Sequence, residues 1–166
     1  MAITDLPAQL ALLVEAKVEF IVIGGVAATA HGSARLTLDL DVVYRRTPEN
    51  IARLAHCLAS HSPYLRGAPP GLPFRFDAET IHRGLNFTLS TNLGPLDLLG
   101  EVTGGGKYED LLPHSGQVCV FGVNCLCVGL RKLIEVKRAA GRPKDLEAIA
   151  ELEALLEERS KNETEN

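Results

Sequence analysis

The chain has 166 residues and a formal net charge of −4 at pH 7, which is room for one domain with a real core. Hydrophobic residues make up 46% and charged residues 23%, the balance of a globular chain, and its acidity argues against a coat for non-specific nucleic-acid binding. No apolar run approaches the roughly 20 residues of a membrane span, and Asp5 and Pro7 interrupt a signal-peptide pattern, so a cytoplasmic protein without membrane partners is expected.

Thr4 or Asp5 can cap a first helix with Pro7 in its first turn, and Leu6, Leu10, Leu13 and Val14 recur at helical spacing toward a sheet. Phe20–Ile23 reads as a buried strand, broken by Gly24-Gly25, after which Val26–His31 forms a short helix. His31, beside Gly32, reads either as a helix C-terminal cap or as a substrate contact. A second strand is expected over Arg35–Val43, where strict alternation puts Arg35, Thr37, Asp39 and Asp41 on one face and Leu36, Leu38, Leu40 and Val42 on the core face. Asp is a poor strand former, and two carboxylates on one strand face repel each other. A solvated face would explain them blandly; a bound cation explains why they are together. The glycine turn opening a helix suits a phosphate.

Thr47-Pro48 starts a helix that buries Ile51, Leu54, Ala55 and Leu58, while Arg45 and Arg46 read first as solvated and otherwise as reaching an anionic substrate. Pro and Gly make Ser62–Pro73 a loop. Phe74–Phe76 and Leu85–Ser90 read as strands, Thr91–Gly94 as a hairpin turn, and Pro95–Leu99 as a strand with Leu96 and Leu98 on one face and Asp97 on the other. Gly104–Gly106 lacks the Gly-Lys-Ser/Thr ending, Lys107 being followed by Tyr108, and the strand-to-helix setting of a P-loop. A short helix over Tyr108–Leu112 and a hairpin of Val118–Phe121 with Cys125–Val128 follow. A helix over Leu130–Ala140 ends at Gly141, and Pro143 opens a last helix with Leu146, Ile149, Leu152, Leu155 and Leu156 as its apolar set. Residues 1–159 form one domain, with 160–166 a polar, disordered tail. Cys57, Cys119, Cys125 and Cys127 have no histidine or second pair to complete a zinc set, so they read as reduced structural thiols. Six basic residues (Arg131, Lys132, Lys137, Arg138, Arg142, Lys144) form a local patch in this acidic chain, a pattern most often just a solvated face.

The string Gly24-Gly25-x-Ala27, His31-Gly32, Arg35-x-Thr37-x-Asp39-x-Asp41, with thirteen residues between Gly25 and Asp39, resembles the signature of the polymerase-β-type nucleotidyltransferase superfamily. It looks most like the small bacterial members, including toxin-side enzymes of abortive-infection and toxin–antitoxin systems. The resemblance is strong in the N-terminal third, moderate over Leu130–Leu156 and weak between. It implies an α+β fold, a small mixed β-sheet with helices packed on it and a C-terminal helix pair. It also implies Mg2+-dependent transfer of a nucleoside monophosphate from a nucleoside triphosphate to an acceptor such as tRNA, a protein or a small molecule. In that reading Asp39, Asp41 and Asp97 are catalytic and hold two magnesium ions. Gly24 and Gly25 approach the phosphates, Thr37 flanks the carboxylates, and Arg35 meets phosphate or holds Asp39 in a salt bridge. Lys137 is the first candidate for the triphosphate, with Lys144 and Asp145 second. An antitoxin-like protein partner is a further option that the resemblance brings, and a small chain with an open site can also form a homodimer. A metal-dependent nuclease would want a lysine two residues after a strand carboxylate, where Val43 and Leu99 stand. The remaining alternative is a non-catalytic nucleotide-binding or protein-interaction module on the same fold.

Overall fold

The computed structural model describes residues 4–165. The first half of the chain forms α1 (Leu6–Glu15), β1 (Phe20–Ile23), α2 (Gly24–Ala30), β2 (Leu40–Tyr44), α3 (Pro48–Leu58), β3 (Tyr64–Leu65) and α4 (Ala78–Arg83). The second half adds β4 (Asn86–Thr91), β5 (Gly94–Leu99), α5 (Tyr108–Leu111), β6 (Ser115–Val120), β7 (Val123–Val128), α6 (Leu130–Ala140) and α7 (Pro143–Thr164). The strands make one seven-stranded mixed sheet in the order β3-β4-β5-β2-β1-β7-β6, with the helices packed on it. This is the expected α+β class, including the C-terminal helix pair α6 and α7.

Local chemistry accounts for most boundaries. Asp5 caps α1 through the Ala8 amide, Thr47 caps α3 through the Asn50 amide, and Gly141 ends α6 at φ +65°. Phe121 and Gly122 both take positive φ (50° and 76°) at the tip of the β6–β7 hairpin, the conformation that matches the twist of a tight hairpin. In β5 the period-two pattern is obeyed, Leu96 and Leu98 being buried while Asp97 points to the other face.

Register places the site. β1 runs antiparallel to β2, pairing Ile23 with Asp41. β2 runs parallel to β5, pairing Asp41 with Asp97. Directly paired residues point the same way, so both carboxylates project from one face, where β1 gives way to α2.

Several expectations are corrected. The second strand begins at Leu40, not Arg35, because β1 turns into α2 at Gly24 and the β5 pairing ends at Leu40 opposite Leu96. Residues 35–39 therefore have no ladder, and Thr37 Oγ1 donates instead to the Asp39 carbonyl at 3.2 Å. Leu36 and Leu38, assigned to the core, are 87% and 59% exposed. Phe74–Phe76 is not a strand; Tyr64, Phe74, Phe76 and Phe87 form a chain of ring contacts that covers the sheet edge without backbone pairing. Val14 and Leu146, placed on packing faces, are exposed. Arg45 is paired with Glu19 and Glu109 and Arg46 with the Tyr44 hydroxyl and the Ile81 and His82 carbonyls, so neither is merely solvated. α7 continues to Thr164 through residues assigned to a disordered tail, helped by the Glu157–Lys161 pair at i,i+4; Asn166 lies outside the described residues.

Candidate active site

β1 delivers the chain to Gly24, whose φ of +64° a side chain would strain. A Cβ there would lie 2.2 Å from Asp41 Oδ2, and one on Gly25 would lie 2.5 Å from Thr37 Oγ1. Both glycines thus make room for the residues that the second half of the motif supplies. α2 follows, and its C-terminal end is closed as expected: His31 stands at the cap, Gly32 follows at φ +108°, and His31 Nε2 lies 2.7 Å from the Val128 carbonyl. Burial, more than the nearby Arg159 charge, holds the imidazole below its ordinary pKa against the pull of that carbonyl.

Two adjoining cavities of about 390 and 290 Å³ open over this point. Gly24, Gly25, Arg35, Thr37, Asp39, Asp41, Lys137 and Lys144 line the larger. Asp97 lines the smaller, which shares Gly24, Asp39, Asp41, Lys137, Lys144 and Asp145 with it. Asp39, Asp41, Asp97, Gly24, Gly25, Arg35, Thr37, Lys137, Lys144 and Asp145 therefore all line two cavities that share walls, whereas His31 lines neither.

The carboxylates are unequal. Asp41 is pushed up to about 7, first by burial, then by a hydrogen bond with Asp97 and its charge, then by Asp39, with Lys144 pulling the other way. Asp97 Oδ1 accepts from Arg66 Nη2 at 2.7 Å, and the same nitrogen donates to the Leu89 carbonyl at 2.7 Å. Among the described residues Arg66 Nε is left buried without a partner, a cost that the ion pair with Asp97 offsets. The hydrogen bond between the two carboxyls needs a proton, and Asp41, raised by burial, carries it. Asp39 lines both cavities with Asp41 and adds its charge to it, while among the described residues no group of three or more His, Cys, Asp or Glu is gathered closely enough to enclose a metal ion.

Opposite the carboxylates, the basic run separates into working parts. Asp145, 2% exposed, accepts from Arg142 Nε at 2.6 Å and Nη2 at 3.2 Å, and Lys137 Nζ lies 3.8 Å from its Oδ1. Burial alone would raise the Asp145 pKa, but the hydrogen bonds and charge of Arg142, then the charge of Lys137, leave it below the ordinary carboxylate value. Burial lowers the Lys137 pKa, with Asp145 and Asp41 opposing and Arg142 and Lys144 adding to it. Asp145 is therefore the counter-charge that keeps two cations aimed at the cavities. Its depressed pKa contributes stability above the ordinary value and loses it as pH falls through the folded value. Asp145→Asn should lower stability at pH 7 by about 1–3 kcal/mol, discounted from a fully buried pair because Arg142 reaches solvent; chemical denaturation at pH 7 would show it, and an unchanged midpoint would sink the counter-charge assignment.

Arg35 does not hold Asp39. It meets Glu147 Oε2 of α7 at 3.6 Å, both side chains exposed, a pair worth little on its own. Three contributors escaped sequence reasoning. Arg66 sat in a Pro/Gly-rich loop with no signal. Arg142 was one of six similar charges. Glu151, which accepts from the Ser33 hydroxyl and from the Ala34 amide at 3.4 Å, was legible only through the helical phase of α7. The four cysteines are free, and burial pushes Cys57 and Cys127 up to about 11 and about 12, so these thiols stay protonated and lie outside the chemistry.

Comparison with models of known families and with curated proteins found no match to this chain. Among the described residues, no helix is long and apolar enough to cross a membrane.

Proposed function

We propose that this chain is a Mg2+-dependent nucleotidyltransferase that moves a nucleoside monophosphate from a nucleoside triphosphate to an acceptor. One observation carries the reading: Asp41 and Asp97 face each other in register at the end of the strand–glycine–helix turn, with Lys137, Arg142 and Lys144 on the same cavity. A structural role does not account for a half-buried carboxyl pair whose charges oppose each other, because replacing it by apolar residues would relieve the cost.

The donor set suits a hard divalent cation, which prefers carboxylate oxygen. Asp41 and Asp97 would hold it, and Asp39 would join them through the irregular 35–39 segment; when bound it would neutralise charge developing on the phosphates. Glycines at the turn let phosphate oxygens approach the backbone. Lys137 and Arg142, kept in place by Asp145, receive the β- and γ-phosphates and the leaving pyrophosphate, with Lys144 beside them. Asp97, oriented by Arg66, holds the acceptor hydroxyl and takes its proton. Apolar Leu99, Val102, Leu133 and Val136 wall this side and limit water.

Isothermal titration of the four nucleoside triphosphates, with and without Mg2+, tests this. Binding that requires Mg2+ and is lost in Asp39→Ala/Asp41→Ala, which should fold at least as well as wild type, is expected. No binding of any triphosphate to wild type would sink the enzymatic reading and favour an interaction module on this fold.

A further inference from the structure

Beside the charged residues, the larger cavity has an apolar slot in its lining, made by Leu36 and Leu38 of the segment without a ladder and by the buried Ala28, Ala148 and Leu152. Two neighbouring leucines this exposed on a cavity wall are costly to leave in water. Glu151 lines the same cavity. Each carboxylate oxygen has about two acceptor positions; Ser33 takes one on Oε1 and Ala34 one on Oε2, leaving one on each oxygen.

We propose that this slot is the nucleobase subsite, with Leu36 and Leu38 as the apolar face and Glu151 as the reader of an exocyclic amino group. The proposal rests on the nucleotidyltransferase reading, since the triphosphate anchors the nucleotide at Lys137 and Arg142. The apolar lining suits a flat aromatic base, and the cavity volume of about 390 Å³ falls in the range of small-molecule sites. A carboxylate only accepts. Adenine, cytosine and guanine each offer it an exocyclic amino donor, whereas uracil has none and offers only the ring N3–H, set between two carbonyl oxygens that repel a carboxylate. Glu151 is thus a specificity-determining residue, and ATP, CTP and GTP bind more tightly than UTP.

The test uses the full chain with Mg2+ and five probes: inorganic tripolyphosphate and the four nucleoside triphosphates, titrated calorimetrically. Wild type should bind the amino-bearing nucleotides roughly tenfold more tightly than UTP, the scale of one charge-assisted hydrogen bond. Glu151→Gln should cut that ratio to near one while leaving tripolyphosphate affinity unchanged. Leu36→Ser/Leu38→Ser should bring every nucleotide toward the tripolyphosphate value. Tripolyphosphate bound as tightly as every nucleotide, or a Glu151→Gln loss equal for UTP and the others, would overturn the slot and leave the phosphate site standing. Failure of wild type to bind tripolyphosphate and nucleotides alike would overturn the catalytic reading and the slot together.

Discussion

Asp41→Asn should make the metal-free protein more stable at pH 8, a reversal of the usual effect of changing a half-buried charged residue. The folded-state pKa of Asp41 is raised from 3.8 to about 7, so folding favours its protonated form. Below about pH 4 both states are protonated and the group costs nothing. As pH climbs through the interval to 7, the unfolded chain ionises freely while the folded one resists, and stability falls; above 7 the full cost is present. Asn donates to Asp97 as protonated Asp41 does, without a proton to lose. Allowing for the proton shared with Asp97, the gain is about 1–3 kcal/mol, or roughly 3–8 °C in melting temperature for a chain of this size. Melting curves from pH 4 to 9 in chelator would show a wild-type decline that the variant lacks. Added Mg2+ should raise the wild-type midpoint and leave the variant where it was. A variant less stable than wild type at pH 8 would remove the strained-carboxyl account.

The second large effect runs the other way. Gly24→Ala meets two separate obstacles: a φ of +64°, costing a side chain about 1–2 kcal/mol, and a Cβ placed 2.2 Å from Asp41 Oδ2 in the middle of the sheet. Together they should lower stability by about 3–4 kcal/mol. Gly25→Ala should cost less, since its φ is not positive and its neighbour, Thr37 Oγ1 at 2.5 Å, sits on an irregular segment able to shift. Combining Gly24→Ala with Asp41→Ala separates the obstacles, because removing the carboxylate relieves the clash and leaves the backbone strain. Denaturant unfolding of the three variants gives the partition; full additivity of the two single changes would mean that Gly24 and Asp41 do not touch.

Most of the architecture was legible from period and punctuation. Thr47-Pro48, Gly141 and the alternation in Pro95–Leu99 each name a boundary or face through a local rule, and the local rule held because nothing long-range opposed it. The failures share a cause. Leu36 and Leu38 alternate like a strand, but a strand needs a neighbour, and the length of β1 decides where the neighbour stops. Phe74 and Phe76 have strand propensity and found ring partners instead of a ladder. For the site, the motif residues gather on the cavities because their spacing is local to one turn. The Arg66–Asp97 contact could not be read, since it depends on how β3, β4 and β5 stack side by side. Asp145 was placed beside Lys137 by the string they share, but its role as their counter-charge needed the burial.

α7 has a consequence for what sequence change the protein tolerates. Asp145, Ala148, Glu151, Leu152, Leu155 and Arg159 return to one side of this helix at steps of three and four. Along it they meet Arg142, the slot, Ser33, the neighbourhood of Gly32, and finally the His31 carbonyl, which accepts from Arg159. The helix acts as a ruler of about 21 Å between the first and last of these, and the middle of the glycine-to-aspartate segment, from His31 to Arg35, is read off its marks. Loop residues can vary in number with little penalty, but one residue inserted in α7 between Asp145 and Arg159 turns everything beyond it by about 100°. Such an insertion would leave a well-formed helix whose marks no longer coincide with the segment it measures, separating the phosphate end of the cavity from its far end without altering a single residue in either.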